Sequence, residues 1–208
     1  MTRTGAYPGS FNPLTVAHLS IAEAAREELD LDRVDLVVSR VALAKEHVEH
    51  PALHHRLGVL HQAARRLPWL GVVLSEAQLV VDLAAGYDAV ILGADKWAQV
   101  QDPAFYGGSR RRRDEALDRL PLVALARRGP HPLPTMPGRV HVLEVPGAAG
   151  ISSTGARAGR THWMAPEAAE FDRLTGAWSD PPRYRRWLAG HGQGGDEEPP
   201  IRPRRGDA

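Results

Sequence analysis

The sequence predicts an α/β fold in which one mostly parallel sheet carries helices on both faces, in a doubly wound, Rossmann-like arrangement. Three observations support this prediction. Short apolar segments alternate with longer segments of helical period along most of the chain. Residues 34–39, VDLVVS, are almost continuously apolar or β-branched, as a strand buried on both faces should be. The 208 residues, 43% of them hydrophobic, are enough for one core and a small appendage.

The first predicted strand and helix are joined by an irregular turn. Residues 4–7 form a short apolar strand, and Gly9, Asn12 and Pro13 interrupt regular structure after it. A helix over 15–29 follows, because the threonine at its first position is a favourable N-cap residue.

The same alternation predicts the later elements. Apolar segments predict five further strands, at 34–39, 70–74, 89–92, 122–126 and 140–145. Helices are predicted at 52–67, at 76–85, directly after residue 92 and at 109–120, with a break at 103–108. Because strands and helices alternate, the ligand crevice should lie at the carboxyl ends of the strands. A C-terminal helical part, about 152–189, completes a single domain over 1–189, and the polar, Gly- and Pro-rich segment 190–208 predicts a disordered tail.

Composition excludes several classes of function. A net charge of +1 argues against bulk electrostatic binding of nucleic acid. Without cysteine the chain has no disulfide, no thiolate nucleophile and no Cys-type zinc site. No apolar run approaches the roughly 20 residues of a membrane span, and none at the start has the length of a signal peptide. We therefore expect no membrane partner and a cytoplasmic location.

The turn between the first strand and helix is suited to phosphate. Residues 5–19 read GAYPGSFNPLTVAHL and end the turn in Thr15 and His18. Backbone N–H groups at a helix start are unpaired and lie at the positive end of the helix dipole, so an anion is favoured there. His18 lies one turn into the helix and faces the same mouth.

A second segment, ISSTGAR at 151–157, has a similar character. Three hydroxyl residues in succession precede Arg157, which places hydrogen-bond donors and a guanidinium at another helix start. Taken alone this signal is weak, because serine and threonine caps are common. Taken with the first segment it becomes specific.

Together the two segments resemble the signatures of a nucleotidyltransferase superfamily, an H/T-x-G-H turn and an ISSTxxR loop. Residues 15–18 match the first signature except at its glycine, where Ala17 stands, and residues 151–157 match the second at every fixed position. The resemblance is closest to bacterial nicotinate and nicotinamide mononucleotide adenylyltransferases, with phosphopantetheine adenylyltransferases next. Similar segments at 91–97, 125–130 and 165–178 extend the resemblance over approximately 4–178.

The resemblance implies an enzyme that transfers an adenylyl group from ATP, with Mg²⁺, to a mononucleotide-type acceptor and releases pyrophosphate. It implies that His18 and Thr15 act at the α-phosphate, that Arg157 holds the β- and γ-phosphates, and that Lys45 steadies the acceptor phosphate. The nucleotide-binding residues that it implies are Gly9, Ser10, Phe11, Thr15, His18, Gly93, Asp95, Ile151, Ser152, Ser153, Thr154 and Arg157. The partners are small molecules, with a second copy of the chain allowed in a homo-oligomer.

Each assignment has a structural alternative. His18 could simply pack against the sheet, and Arg157 could pair with a surface carboxylate. Lys45 could be a solvated loop lysine. Asp95 could only cap the helix after the fourth strand. Thr15 is a helix cap in either case.

Two departures from the family pattern bear on activity. The methyl group of Ala17 could crowd the adenine or sugar that the family's glycine admits. The span between Arg157 and Pro166 is short, which predicts a truncated helix after ISSTGAR. Both departures leave two alternatives open: a relative that uses another acceptor, phosphopantetheine or a phosphonate with CTP, and a nucleotide-binding module without turnover.

Three further groups are expected to be structural. The histidines at 47, 50, 54 and 55 are crowded, but Pro51 interrupts the helix that would align them and no cysteine accompanies them, so we expect no metal site. The arginines at 110–113 open a helix with a solvated face, the alternative being a patch that steers triphosphate to the mouth. Trp97 is expected to pack near the crevice, the alternative being stacking on an acceptor ring.

Overall fold

The computed structural model describes residues 2–40, 51–127 and 139–191. The strands within these ranges are β1 Thr4–Pro8, β2 Arg33–Ser39, β3 Leu70–Ser75, β4 Ala89–Gly93, β5 Leu122–Ala126 and β6 Val140–Leu143. The α-helices are α1 Val16–Glu28, α2 Leu53–Arg66, α3 Val80–Leu83, α4 Ala94–Gln101, α5 Arg110–Asp118, α6 Ser153–Arg157, α7 Pro166–Thr175 and α8 Pro181–His191. Single 3₁₀ turns lie at Pro103–Tyr106 and Thr161–Trp163.

The strands form one parallel sheet in the order β3-β2-β1-β4-β5-β6. This is the strand order of the doubly wound, Rossmann-like fold, so the predicted fold class is confirmed, and every described strand pair is parallel. The chain changes its winding direction between β1 and β4. A ligand crevice is therefore expected outside the carboxyl ends of these two neighbours, where Gly9 and Gly93 lie.

Helices cover both faces of the sheet, and each face has its own apolar core. One core is built with α1, α2, α7 and α8, and the other with α3, α4 and α5. Strand β2 contributes to both: Leu36 and Val38 lie in the first core and Val37 in the second. Because successive side chains of a strand point to opposite faces, a continuous apolar run is what a strand covered on both sides requires.

Two predicted elements are shorter in the structure. The helix predicted at 76–85 is wrong over most of its length, because only α3 is helical. The Ser75 hydroxyl accepts a hydrogen bond from the Ala77 N–H at 3.1 Å, and the Ser39 hydroxyl donates to the Ala77 carbonyl at 2.7 Å. These side-chain bonds hold the residues before α3 out of a helix. The strand predicted at 140–145 ends at Leu143, since the next N–H donates to the Glu28 carboxylate instead.

The C-terminal helices pack on the first core. Helix α7 begins with Pro166 in its first turn, and an ion pair joins Arg66 of α2 to Glu167 at 2.5 Å. Helix α8 reaches His191, two residues beyond the predicted domain end, and the tail after it lies outside the described residues. None of the described helices is long and apolar enough to cross a membrane.

Candidate functional site

The turn after β1 is built by close packing around Gly9. A Cβ at Gly9 would lie 2.8 Å from Cζ of the Phe11 ring, so only glycine lets the ring approach this backbone. Phe11 has a positive φ of 43°, and its buried ring contacts the His18 imidazole edge-on at 5.2 Å between centroids. The Gly9 N–H donates to the Val37 carbonyl of β2 at 3.0 Å. The Phe11 side chain therefore supports His18, and Ser10, the residue before Phe11 in this turn, is half-buried.

Thr15 caps α1 and holds the His18 ring at the same time. The Thr15 N–H donates to Nδ1 of His18 at 3.0 Å, and the Thr15 hydroxyl lies 2.8 Å from the same nitrogen. A backbone N–H can only donate, so Nδ1 is an acceptor and the neutral imidazole carries its proton on Nε2. Thr15 itself is fully buried. The cap thus fixes the ring orientation and makes Nε2–H a hydrogen-bond donor.

Ala17 belongs to the buried side of α1. Its exposed fraction is 1%, and it lies in the first core with Ile21 and Ala25, one and two turns further along the helix. In the free protein the methyl group that departs from the family pattern is covered by other atoms of the chain.

The ISSTGAR segment forms the short helix α6. The Ser152 hydroxyl caps it by accepting from the Gly155 N–H at 3.1 Å. Ile151, just before the helix, is half-buried and packs against the first core. The helix has five residues and ends at Arg157.

The two motif segments are in direct contact. The Ser153 hydroxyl donates to the Pro13 carbonyl at 2.8 Å, across 140 residues of chain. Arg157 donates through Nη1 to the Asn12 carbonyl and through Nη2 to the Thr154 hydroxyl, the latter at 3.2 Å. A guanidinium has five N–H donors, so these two bonds leave others for an anion. The two segments predicted to hold phosphate therefore lie side by side.

The C-terminal part of the chain also bonds to the turn after β1. The indole N–H of Trp178 donates to the side-chain carbonyl of buried Asn12 at 2.6 Å. The Ala165 N–H donates to the Leu14 carbonyl at 3.0 Å, and Thr15 forms an isolated β-bridge with Met164.

Gly155 is required by the neighbouring Trp163. A Cβ at Gly155 would lie 2.2 Å from Cζ3 and 2.9 Å from Cε3 of the Trp163 ring, far closer than carbon atoms approach. The Arg160 guanidinium lies over the same ring, 4.7 Å from its centre. The chain after α6 thus folds back, and Trp163 packs on the ISSTGAR backbone.

The carboxyl end of β4 supplies the residues predicted around the nucleotide. Gly93 is the N-cap of α4, and Asp95 lies exposed in the first turn of that helix. Asp95 has no hydrogen-bond or ion-pair partner among the described residues, so it does not cap α4 through its side chain. Trp97 is buried in the second core, with an indole N–H that has no partner in the described part of the chain.

The structure adds Arg56, which the sequence reasoning missed. Its Nη1 donates to the Ser10 carbonyl at 3.0 Å, which brings α2 to the turn after β1. A sequence signal existed, because Arg56 falls three residues after Leu53 and four before Leu60, on the apolar side of the helix. A charged residue at a core-facing position is uncommon unless it has a specific partner.

The histidine-rich segment is only partly described. His47 and His50 lie outside the described residues, as do Lys45 and residues 128–130. His55 packs against α8, with Nδ1 2.6 Å from the Tyr184 hydroxyl. Burial, and next the neighbouring His54, lower the pKa of His55 from 6.5 to about 4. Within the described ranges no group of three or more histidine or acidic side chains could hold a metal ion.

The arginine run at the start of α5 is mostly solvated. Arg110, Arg111 and Arg112 are exposed, and Arg111 lies 3.5 Å from Glu115 one turn later. Arg113 donates to the Gln101 carbonyl at 3.0 Å and ties α5 to the end of α4.

Comparison with known proteins identifies relatives of this chain. A protein of Bordetella avium, named a probable nicotinate-nucleotide adenylyltransferase, is 38% identical over 108 residues, which are 47% of this chain and 54% of that protein. A protein of the same name from Coprothermobacter proteolyticus is 28% identical over 114 residues, 49% of this chain and 58% of that protein. The chain therefore spans a little over half the length of these curated relatives.

Solved structures share the fold. The Plasmodium falciparum nicotinic acid mononucleotide adenylyltransferase complexed with NaAD has a TM-score of 0.59 at 14% identity, over 84% of this chain and 96% of that chain. The same enzyme complexed with APC has a TM-score of 0.58 at 15% identity, with the same coverage. The model of the cytidylyltransferase-like family matches residues 6–159, which contain both motif segments, and confirms the predicted nucleotidyltransferase relationship. The chain therefore belongs to the cytidylyltransferase-like family.

Proposed function

We propose that this chain transfers an adenylyl group from ATP to nicotinate or nicotinamide mononucleotide and releases pyrophosphate. The observation that carries the proposal is the contact between the two motif segments, Ser153 on Pro13 and Arg157 on Asn12, beside a histidine whose tautomer is fixed. The names of the curated relatives support the choice of nicotinate mononucleotide as acceptor.

The chemistry needs alignment and charge neutralisation. The acceptor phosphate oxygen attacks the α-phosphorus of ATP, the bond to the bridging oxygen breaks, and pyrophosphate leaves with that electron pair. No covalent nucleophile on the protein is required. The Nε2–H of His18 donates to the α-phosphate oxygens, on which negative charge grows in the transition state. Thr15 is buried and positions His18.

The triphosphate is assigned to the ISSTGAR segment. Arg157 has donors beyond the two used within the protein, and the exposed Thr154 lies beside it. Ser153 uses its hydroxyl proton on Pro13, so its own contribution to phosphate is its backbone N–H. Gly93 and Asp95 line the nucleoside side of the crevice, and Lys45 is assigned to the acceptor phosphate.

Mg²⁺ fits this site only as part of the substrate. The two motif segments, 5–19 and 151–157, contain no carboxylate, which is the protein ligand that Mg²⁺ favours. Mg²⁺ would therefore be held by phosphate oxygens and water, and when bound it would neutralise part of the triphosphate charge.

The proposal is tested by a screen for released pyrophosphate. ATP and CTP are each paired with nicotinate mononucleotide, nicotinamide mononucleotide, phosphopantetheine and small phosphonates. We expect release with ATP and one of the two pyridine mononucleotides. Release only with CTP or only with another acceptor would overturn the assignment, and ATP binding without release from any pair would make the chain a nucleotide-binding module.

A further inference from the structure

Arg56 carries a charge that no acidic group in the described part of the chain balances. Its one hydrogen bond is from Nη1 to the neutral Ser10 carbonyl, and no carboxylate of the described residues lies within ion-pair distance. Its Nε is buried and has no hydrogen-bond partner there. Burial also lowers the pKa of Arg56. Arg66, on the same helix, shows the usual solution, since its guanidinium is paired with Glu167.

Arg56 as a whole is half-buried. A partly buried cation without a counterion is unfavourable, because the hydration that it loses is not replaced. Proteins usually remove such a charge, pair it or use it for a ligand. The guanidinium offers planar, directional donors that match phosphate and carboxylate oxygens. An oxyanion is therefore the kind of ligand that this guanidinium suits.

The location of Arg56 indicates which oxyanion. The Ser10 carbonyl that it contacts belongs to the turn whose next residue, Phe11, packs on His18. The guanidinium thus reaches the predicted phosphate site from the α2 side, whereas Arg157 reaches it from α6. Two guanidinium groups then approach the turn after β1 from different elements.

We propose that Arg56 binds a phosphate group of one of the two substrates and is a further ligand-contacting residue of this site. The inference rests on the proposed function for the identity of the ligand. Either the triphosphate or the acceptor monoester can supply the phosphate, and separate binding measurements distinguish them.

The test uses Arg56→Met, with Arg65→Met as the matched control. Arg65 is exposed on the same helix and has no ion-pair partner among the described residues. Thermal unfolding of each full-length variant is measured alone and with ATP, nicotinate mononucleotide or inorganic pyrophosphate, and dissociation constants follow from the ligand-induced shifts. We expect Arg56→Met to bind either the triphosphate species or the mononucleotide at least tenfold more weakly, while the control binds both as the unmodified protein does.

Stability of the free protein separates a ligand role from a structural one. Removing a desolvated, unbalanced charge should leave the unfolding temperature of ligand-free Arg56→Met unchanged or raised. A lowered unfolding temperature with unchanged dissociation constants would overturn the proposal and make Arg56 a structural tie to Ser10. Arg56→Lys, which keeps the charge but loses Nε and the planar donors, should fall between the two proteins in affinity.

The outcomes also separate this inference from the proposed function. Arg56-dependent pyrophosphate binding in a protein without transferase activity supports the anion site and refutes the activity. Transferase activity together with equal affinities in the Arg56 and Arg65 variants supports the activity and overturns the anion site.

Discussion

Gly155→Ala should damage activity far more than stability. The new methyl carbon would lie 2.2 Å from Cζ3 of Trp163, whereas carbon atoms in contact are about 3.5–4.0 Å apart. Either the indole or the backbone of α6 must therefore move by more than about 1 Å. The indole is held from its face by Arg160, so part of the movement falls on the ISSTGAR backbone.

The two effects differ in size. Overpacking of this kind costs about 1–3 kcal/mol, and replacing glycine by alanine in a helix returns about 1 kcal/mol. The net loss of about 0–2 kcal/mol corresponds to a fall of up to about 8 °C in unfolding temperature. Displacing a phosphate-binding group by about 1 Å lowers the rate by about 100-fold. We expect kcat/KM to fall by roughly this factor.

The assay combines pyrophosphate-release kinetics with thermal unfolding. Gly58→Ala is the matched control, because Gly58 is also helical and a Cβ there would meet nothing within 4 Å, so activity should be retained and stability should rise slightly. Trp163→Leu in the Gly155→Ala background removes the clashing ring and should recover part of the loss. Full activity in Gly155→Ala, or a double variant as impaired as the single one, would refute the reasoning.

Three other predictions concern His18, His55 and Glu167. His18→Ala should lower kcat by about 100- to 1000-fold while the affinity for ATP stays within a few fold. His54→Ala is the control and should keep its turnover. Turnover of His18→Ala within a few fold of normal would make His18 structural. The lowered pKa of His55 means that the unfolded chain takes up the proton first, so stability falls as pH drops from 6.5 towards 4. His55→Gln should remove this acid-dependent loss of about 1–2 kcal/mol in urea unfolding at low and neutral pH, and equal losses in both proteins would contradict it. Burial raises the pKa of Glu167, but hydrogen bonds from Arg66 and from its own backbone N–H outweigh burial and lower the pKa. Glu167→Gln should therefore cost about 1 kcal/mol of unfolding free energy at neutral pH. An unchanged denaturation midpoint would refute this prediction.

Most of the sheet was predictable because its strands are covered on both faces. A run such as 34–39 can bury its side chains only as a central strand, and the structure has β2 at Arg33–Ser39. The conformation of residues 76–85 could not be predicted correctly from their own sequence. It depends on the Ser39 hydroxyl of β2, which donates to the Ala77 carbonyl. Local sequence does not contain that contact.

The candidate site divides in the same way. His18 and Arg157 could be predicted from local sequence, because each lies within a turn of a helix start. Arg56 and Trp163 could not be predicted in this way. Arg56 matters because it bonds to Ser10, which is far away in the chain, and Trp163 matters because it packs on Gly155 across a turn. Lys45 lies outside the described residues, and its role stays a prediction.

The sequence by itself determined the α/β class, the alternation of elements and the two segments suited to phosphate, because these follow from short-range periodicity and from helix-start chemistry. Only the tertiary structure decided that the segments touch and that the half-buried Arg56 guanidinium has no counterion among the described residues. These features depend on contacts between residues distant in the chain. Chain folding brings such residues together, and no spacing along the sequence encodes the distance between them.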